Sequence, residues 1–74
     1  MLKVKQVGSN MTQVERSDVV VLFSYSTPVA AFIPGRGYIK TSTHYSVTTT
    51  KHISKWIGNQ PVQEVEQTVL DNLL

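Results

Sequence analysis

Two stretches of this 74-residue chain carry residue types that hold anions or stack on flat ligands. The first is HYSVTTTKHISKWI at 44–57. Coiled as a helix, it places Thr48, Lys51, His52 and Lys55 at i, i+3, i+4 and i+7, opposite Ile53, Trp56 and Ile57. Free N–H groups at a helix start, threonine hydroxyls and two lysines together suit a phosphate. The plainer account makes one of Thr48, Thr49 or Thr50 the N-cap, worth about 1 kcal/mol, and the lysines an ordinary solvated face. A cap accounts for one threonine but not for three. The second stretch is PGRGY at 34–38. Glycines on both sides expose Arg36 at a turn tip, and Tyr38 follows where it could stack on a base or on a partner's side chain. A hairpin tip that carries arginine for solubility is the simpler account.

Bond-breaking chemistry finds less footing. Ser24 and Ser26 lack a G-x-S-x-G setting, and His44 and His52 have no carboxylate nearby in sequence. Glu64 and Glu66, two residues apart on the helix expected there, would point in different directions, which argues against a paired acid and base. There is no P-loop, no G-x-G-x-x-G and no H-E-x-x-H. Cysteine is absent, and two histidines build no zinc site without carboxylates. A non-enzyme with no cofactor and no metal is expected. Phe23, Tyr25, Tyr38 and Tyr45 could make an aromatic platform for RNA. Phe23 and Tyr25, however, belong to a run that is apolar on both faces, so core is the expectation. No RNP motif, KH loop or helix-turn-helix spacing supports nucleic-acid recognition further.

The elements that must position these residues follow from periodicity. LKVKQV at 2–7 alternates as a strand, GSN turns, and MTQVER at 11–16 is a weaker strand. VVVLFSY at 19–25 reads as a central strand, and STP breaks it. VAAFI at 29–33 follows; its small Ala30 and Ala31 imply close approach by another element, most simply a helix. Pro34 and Gly35 predict a type II turn into a strand at 38–42. A helix over 48–57 ends at Gly58, placed for a left-handed C-terminal cap. Val62, Val65, Val69, Leu70, Leu73 and Leu74 fall at 0, 3, 7, 8, 11 and 12, which predicts an amphipathic helix over 61–73. Strands followed by helices imply an α+β fold. The expectation is one domain, 1–74, with about four antiparallel strands within 1–43 and both helices on one face. Trp56 and Ile53 would then anchor the short helix near Val21 and Phe23.

At this length the core is small, and stability must come from packing, with self-association as a further source. Seven Lys and Arg against Glu15 and Asp18 leave residues 1–55 at +5, while Glu64, Glu66 and Asp71 leave 56–74 at −3. A basic body with an acidic tail attracts anionic partners or complements itself, within one molecule or between two. Six aliphatics on the last helix exceed what one small sheet face needs. Either both helices share that face in a monomer, or Val69, Leu70, Leu73 and Leu74 close a homodimer. No apolar run reaches the length of a membrane span, and the N-terminus lacks a signal-peptide core, so a cytoplasmic protein is expected.

SYSTPVAAF at 24–32, GRGYIKT at 35–41 and YSVTTTKHISKWI at 45–57 resemble an uncharacterised family of very small proteins of tailed bacteriophages and prophages. Its members show S-Y-x-T-P-V-A-A, a glycine turn, and then W/Y-S-x-T-T-x-x-H-I-x-x-W. The likeness covers about residues 3–58 and leaves out the C-terminal segment. Tyr45 stands where a tryptophan is common, and Lys51 where an arginine is. No activity comes with the resemblance. It implies a small accessory protein that binds a host macromolecule, in the first place a host protein, in the host cytoplasm. Arg36, Tyr38, Thr48, Lys51, His52 and Lys55 are the expected binding surface. Alternatives are a nucleic-acid-binding module using the same cations, and an oligomeric virion-associated protein.

Overall fold

The computed structural model describes residues 2–74. Five antiparallel strands form a meander: β1 (Lys3–Gly8), β2 (Met11–Arg16), β3 (Val19–Ser24), β4 (Thr27–Ile33) and β5 (Gly37–Thr41). Helix α1 (Val47–Ile57) then crosses over the sheet to β6 (Val62–Val65), which pairs parallel to β5, and a short helix α2 (Gln67–Asp71) ends the chain. The sheet therefore runs β1-β2-β3-β4-β5-β6, with β1 and β6 as open edges. The α+β class is as expected, with six strands instead of about four.

Local chemistry accounts for the joints. Gly35 takes φ +86°, and the Arg36 N–H donates to Ile33 O at 2.9 Å, the type II turn that Pro34-Gly35 predicts. Gly58 takes φ +69° and returns its N–H to Ser54 O at 2.9 Å, closing α1.

The sheet separates two small cores. On one face Met11, Leu22 and Ala30 pack with Ile53 and Ile57 of α1, joined by Val29. On the other Val19, Val21, Ala31 and Ile39 pack with Leu70 of α2. Adjacent strand residues point to opposite faces, so Ala30 admits one helix and Ala31 the other. The small pair does mark helix approach, on both sides of the sheet at once.

Three expectations are corrected. The 61–73 helix is a strand, a break and a short helix. Its apolar spacing serves this arrangement equally well, with Val62 paired to Tyr38 on the α1 side and Val65 packing near Leu70 and Leu73 on the other. The strand wins because the outer side of β5 would otherwise be unpaired; here the Ser42 N–H donates to Val65 O at 2.8 Å. The helices do not share a face. Consequently Ile53 and Trp56 anchor α1 to Met11, Leu22 and Tyr38, while Val21 and Phe23 lie beneath the sheet with α2. No helix among the described residues is long and apolar enough to cross a membrane.

Candidate binding surface at the start of helix α1

The three threonines stand in three different settings, and none of them is the N-cap. Ser46 caps α1: it is extended (φ −162°, ψ 166°) and its Oγ accepts from the Thr49 N–H at 3.1 Å. Thr49 is buried and begins a polar chain into the sheet. Ser46 Oγ donates to Thr49 Oγ1 at 3.2 Å, Thr49 Oγ1 lies 3.0 Å from Ser24 Oγ, and Ser24 Oγ lies 2.8 Å from His52 Nδ1. Thr50 turns back, its hydroxyl donating to Ser46 O at 3.0 Å. Thr48 is left exposed. With Ser46 as donor, the hydroxyls can point one way along the chain, Ser46 to Thr49 to Ser24 to His52. His52 Nδ1 is then the acceptor, and neutral His52 carries its proton on Nε2.

Ser24 paired with a histidine invites comparison with an activated nucleophile. Ser24 is only 2% exposed and its oxygen is shared with Thr49, so no substrate carbonyl reaches it. The pair pins a helix to a strand.

Next to it the chain does something costly. Tyr25 sits at φ +58°, a left-handed conformation that costs a residue with a Cβ about 1–2 kcal/mol. Its N–H donates to Asn10 O at 2.8 Å, tying the β3–β4 turn to the β1–β2 turn. The residue is 56% exposed, and its ring stands 6.1 Å from the His52 ring. Tyr25 is therefore a surface residue, against the core expectation. Tyr45 and Val47, flanking the Ser46 cap, are exposed as well. The outer side of α1 continues this patch with Thr48, Lys51 and Lys55. Neither lysine is in an ion pair among the described residues.

The other expected site residues separate from this cluster. His52 is half-buried and held by Ser24, so it borders the surface instead of projecting from it. Arg36 is exposed on the β4–β5 turn, at the end of the sheet opposite the start of α1. Tyr38 is no free stacking platform. Its ring packs between Phe32 at 4.9 Å and Trp56 at 5.6 Å, edge-on to the indole, whose Nε1 donates to Gln13 Oε1 at 3.0 Å. Of the expected dimer residues, Leu70 is 1% exposed and Leu73 packs against the same core. Only Val69 and Leu74 remain open there, because a helix this short spends its best apolar residues on its own sheet.

Two hollows flank these features. A polar cleft of about 180 Å³ runs between α1 and β5–β6, lined by Lys40, His44, Thr50, Ser54 and Glu64 among others. A wider one of about 350 Å³ lies at the Arg36 end, among Lys3, Glu15, Arg16, Ser17 and Val20. There the Arg16 guanidinium hydrogen-bonds Asp18 at 3.0 Å and holds its carboxyl below the ordinary aspartate value. No group of three or more potential metal ligands occurs among the described residues.

Sequence reasoning passed over Ser46, and it set Ser24 aside as a nucleophile without its motif and Tyr25 aside as core. The S-Y and S-x-T-T-x-x-H segments carried the signal, since Ser24, Ser46, Thr49 and His52 are the residues that meet. No curated protein and no solved structure matches the chain. A family model matches residues 2–72, a span that takes in β6 and α2 as well as the sheet and α1. The chain thus belongs to a family of unknown function, DUF8033.

Proposed function

We propose that this chain is a non-catalytic binding module that docks a protein partner on the start and outer side of α1. The observation that carries the reading is Tyr25, an exposed aromatic residue at the positive-φ position of the two-residue β3–β4 turn, where glycine or asparagine would sit with less strain. Backbone strain persists where the surrounding structure over-determines it, and it collects at functional sites. Tyrosine is among the residues that dominate protein interfaces, because its ring buries much area at small entropic cost. Tyr25, Tyr45 and Val47 supply the apolar contacts, and Thr48, Lys51 and Lys55 supply a basic border suited to an acidic partner. The likeness to small bacteriophage proteins adds the proposal that this partner is a protein of the bacterial host.

The test is affinity capture from host lysate, with and without nuclease, using the native chain, Tyr25→Ala and Lys51→Glu/Lys55→Glu. A protein captured by the native chain in both conditions and lost with both variants supports the reading. Capture that ends on nuclease treatment transfers the same cations to a nucleic acid. In that second reading binding falls with salt, at a log–log slope of about −0.9 per phosphate neutralised on duplex DNA.

A further inference from the structure

The two open edges of the sheet carry opposite charge, and they carry it on the same face. On β1, Lys3 and Lys5 stand on the α1 side, as their pairing with Glu15 and Gln13 places them in line with Met11 and Leu22. On β6, Glu64 pairs with Lys40 and so also faces the α1 side. Glu66 follows in extended conformation (φ −67°, ψ 151°), two residues on. All four of these side chains are exposed. The edges carry aliphatics as well: Val4 on β1 is 70% exposed, Leu2 just before it is 55% exposed, and Val65 is half-buried on β6.

We infer that β1 of one molecule pairs with β6 of a second copy, parallel and head to tail, extending the sheet from molecule to molecule. The charges select this geometry over the alternatives. A two-fold β1–β1 pairing sets lysines against lysines, and β6–β6 sets glutamates against glutamates; like charges directly opposite destabilise a strand pair. When β6 meets β1 with the α1 faces on one side, both strands run the same way, and one register sets unlike charges opposite each other. Glu64 lies opposite Lys3, Val65 opposite Val4, and Glu66 opposite Lys5. Glu64 is then flanked by Lys40, 4.0 Å away within its own molecule, and by Lys3 of the neighbour. Val65 O already turns inwards to accept from Ser42, so strand alternation turns the Glu64 backbone groups to the open side, where the added strand needs them.

Lysines on an edge strand are also a known way to repel pairing. They repel an edge of their own kind. Against an acidic edge they specify the partner, which gives the basic body and acidic tail of the sequence a single purpose. A head-to-tail contact is heterologous, so it produces a ring or an open filament and not a closed two-fold dimer. This surface is separate from that at the start of α1.

The test is sedimentation velocity of the full chain over a dilution series at low and high salt. The expected result is species larger than a dimer that grow with concentration and shrink with salt. Lys3→Glu/Lys5→Glu has two acidic edges and Glu64→Lys/Glu66→Lys has two basic ones, so each alone should stay monomeric. Mixed in equal amounts they should assemble again, because every edge then meets its opposite. Circular dichroism and Trp56 emission confirm that each variant is folded. A native chain that stays monomeric throughout the series at low salt overturns the proposal. So does association that survives in either charge-reversed variant alone, or a mixture that fails to recover it.

Discussion

Removing one oxygen tests how the candidate surface is held. In Ser24→Ala, Ser24 Oγ no longer reaches His52 Nδ1 at 2.8 Å or Thr49 Oγ1 at 3.0 Å. Each lost hydrogen bond costs about 1 kcal/mol net. Thr49 is buried, so its O–H loses its inward acceptor where water cannot replace it, although Ser46 Oγ still donates to the oxygen; leaving that donor unpaired adds ~1 kcal/mol. The expected loss is about 2–3 kcal/mol. A domain of this size shifts its thermal midpoint by about 4–8 °C per kcal/mol, so the midpoint should fall by ~10–20 °C. Urea unfolding followed by Trp56 emission and far-ultraviolet circular dichroism should show a lower midpoint at an unchanged slope. Ser26→Ala, on the exposed turn next door, should stay within about 0.5 kcal/mol of the native chain. Ser24→Ala combined with His52→Ala should cost less than the two single losses added, since both remove one contact. A Ser24→Ala chain that loses less than about 0.5 kcal/mol would refute the claim that this polar chain fastens α1 to β3.

Other outcomes follow from single contacts. Ser46→Ala removes the cap on Thr49 N and should cost about 1 kcal/mol in urea unfolding, whereas Thr48→Ala, which is exposed, should cost little. Tyr25→Gly relieves the left-handed strain and should raise stability by up to about 1 kcal/mol while weakening partner capture; a loss of stability would show that the ring packs instead of presenting itself. Gln13→Leu leaves the indole Nε1 without its acceptor and should cost about 1 kcal/mol and shift Trp56 emission. Arg16→Gln should raise the Asp18 carboxyl back towards its ordinary value in an NMR titration. Because the folded group sits below its unfolded value, the Arg16–Asp18 contribution is present above the unfolded pKa and fades as pH falls through the folded one. A Asp18 titration unchanged by Arg16→Gln would remove that cause.

Much of the framework was legible along the chain. Val19–Ser24 reads as a central strand because β-branched and aromatic residues on both faces have few other uses, and it is buried between two helices. PGRG reads as a turn because proline and glycine restrict torsions locally. Ile53, Trp56 and Ile57 read as the buried side of a helix. Lys51 and Lys55 fall on the opposite, exposed side, because a helix of this length repeats at short range.

What the chain alone could not decide is where distant groups meet. Val62, Val65, Val69 and Leu70 fit a helix in isolation, and only the open flank of β5 makes the first pair a strand. The hydroxyl of Ser24 lies 25 positions from Thr49 and 28 from His52, separations over which no periodicity speaks. Tyr25 reads as core by composition, yet the left-handed turn turns it outwards. By itself the sequence determined torsions and hydrophobic periods, because those are settled between near neighbours. Tertiary structure decided pairing and exposure, because an unpaired backbone edge or a buried hydroxyl takes whichever partner the fold brings within about 3 Å.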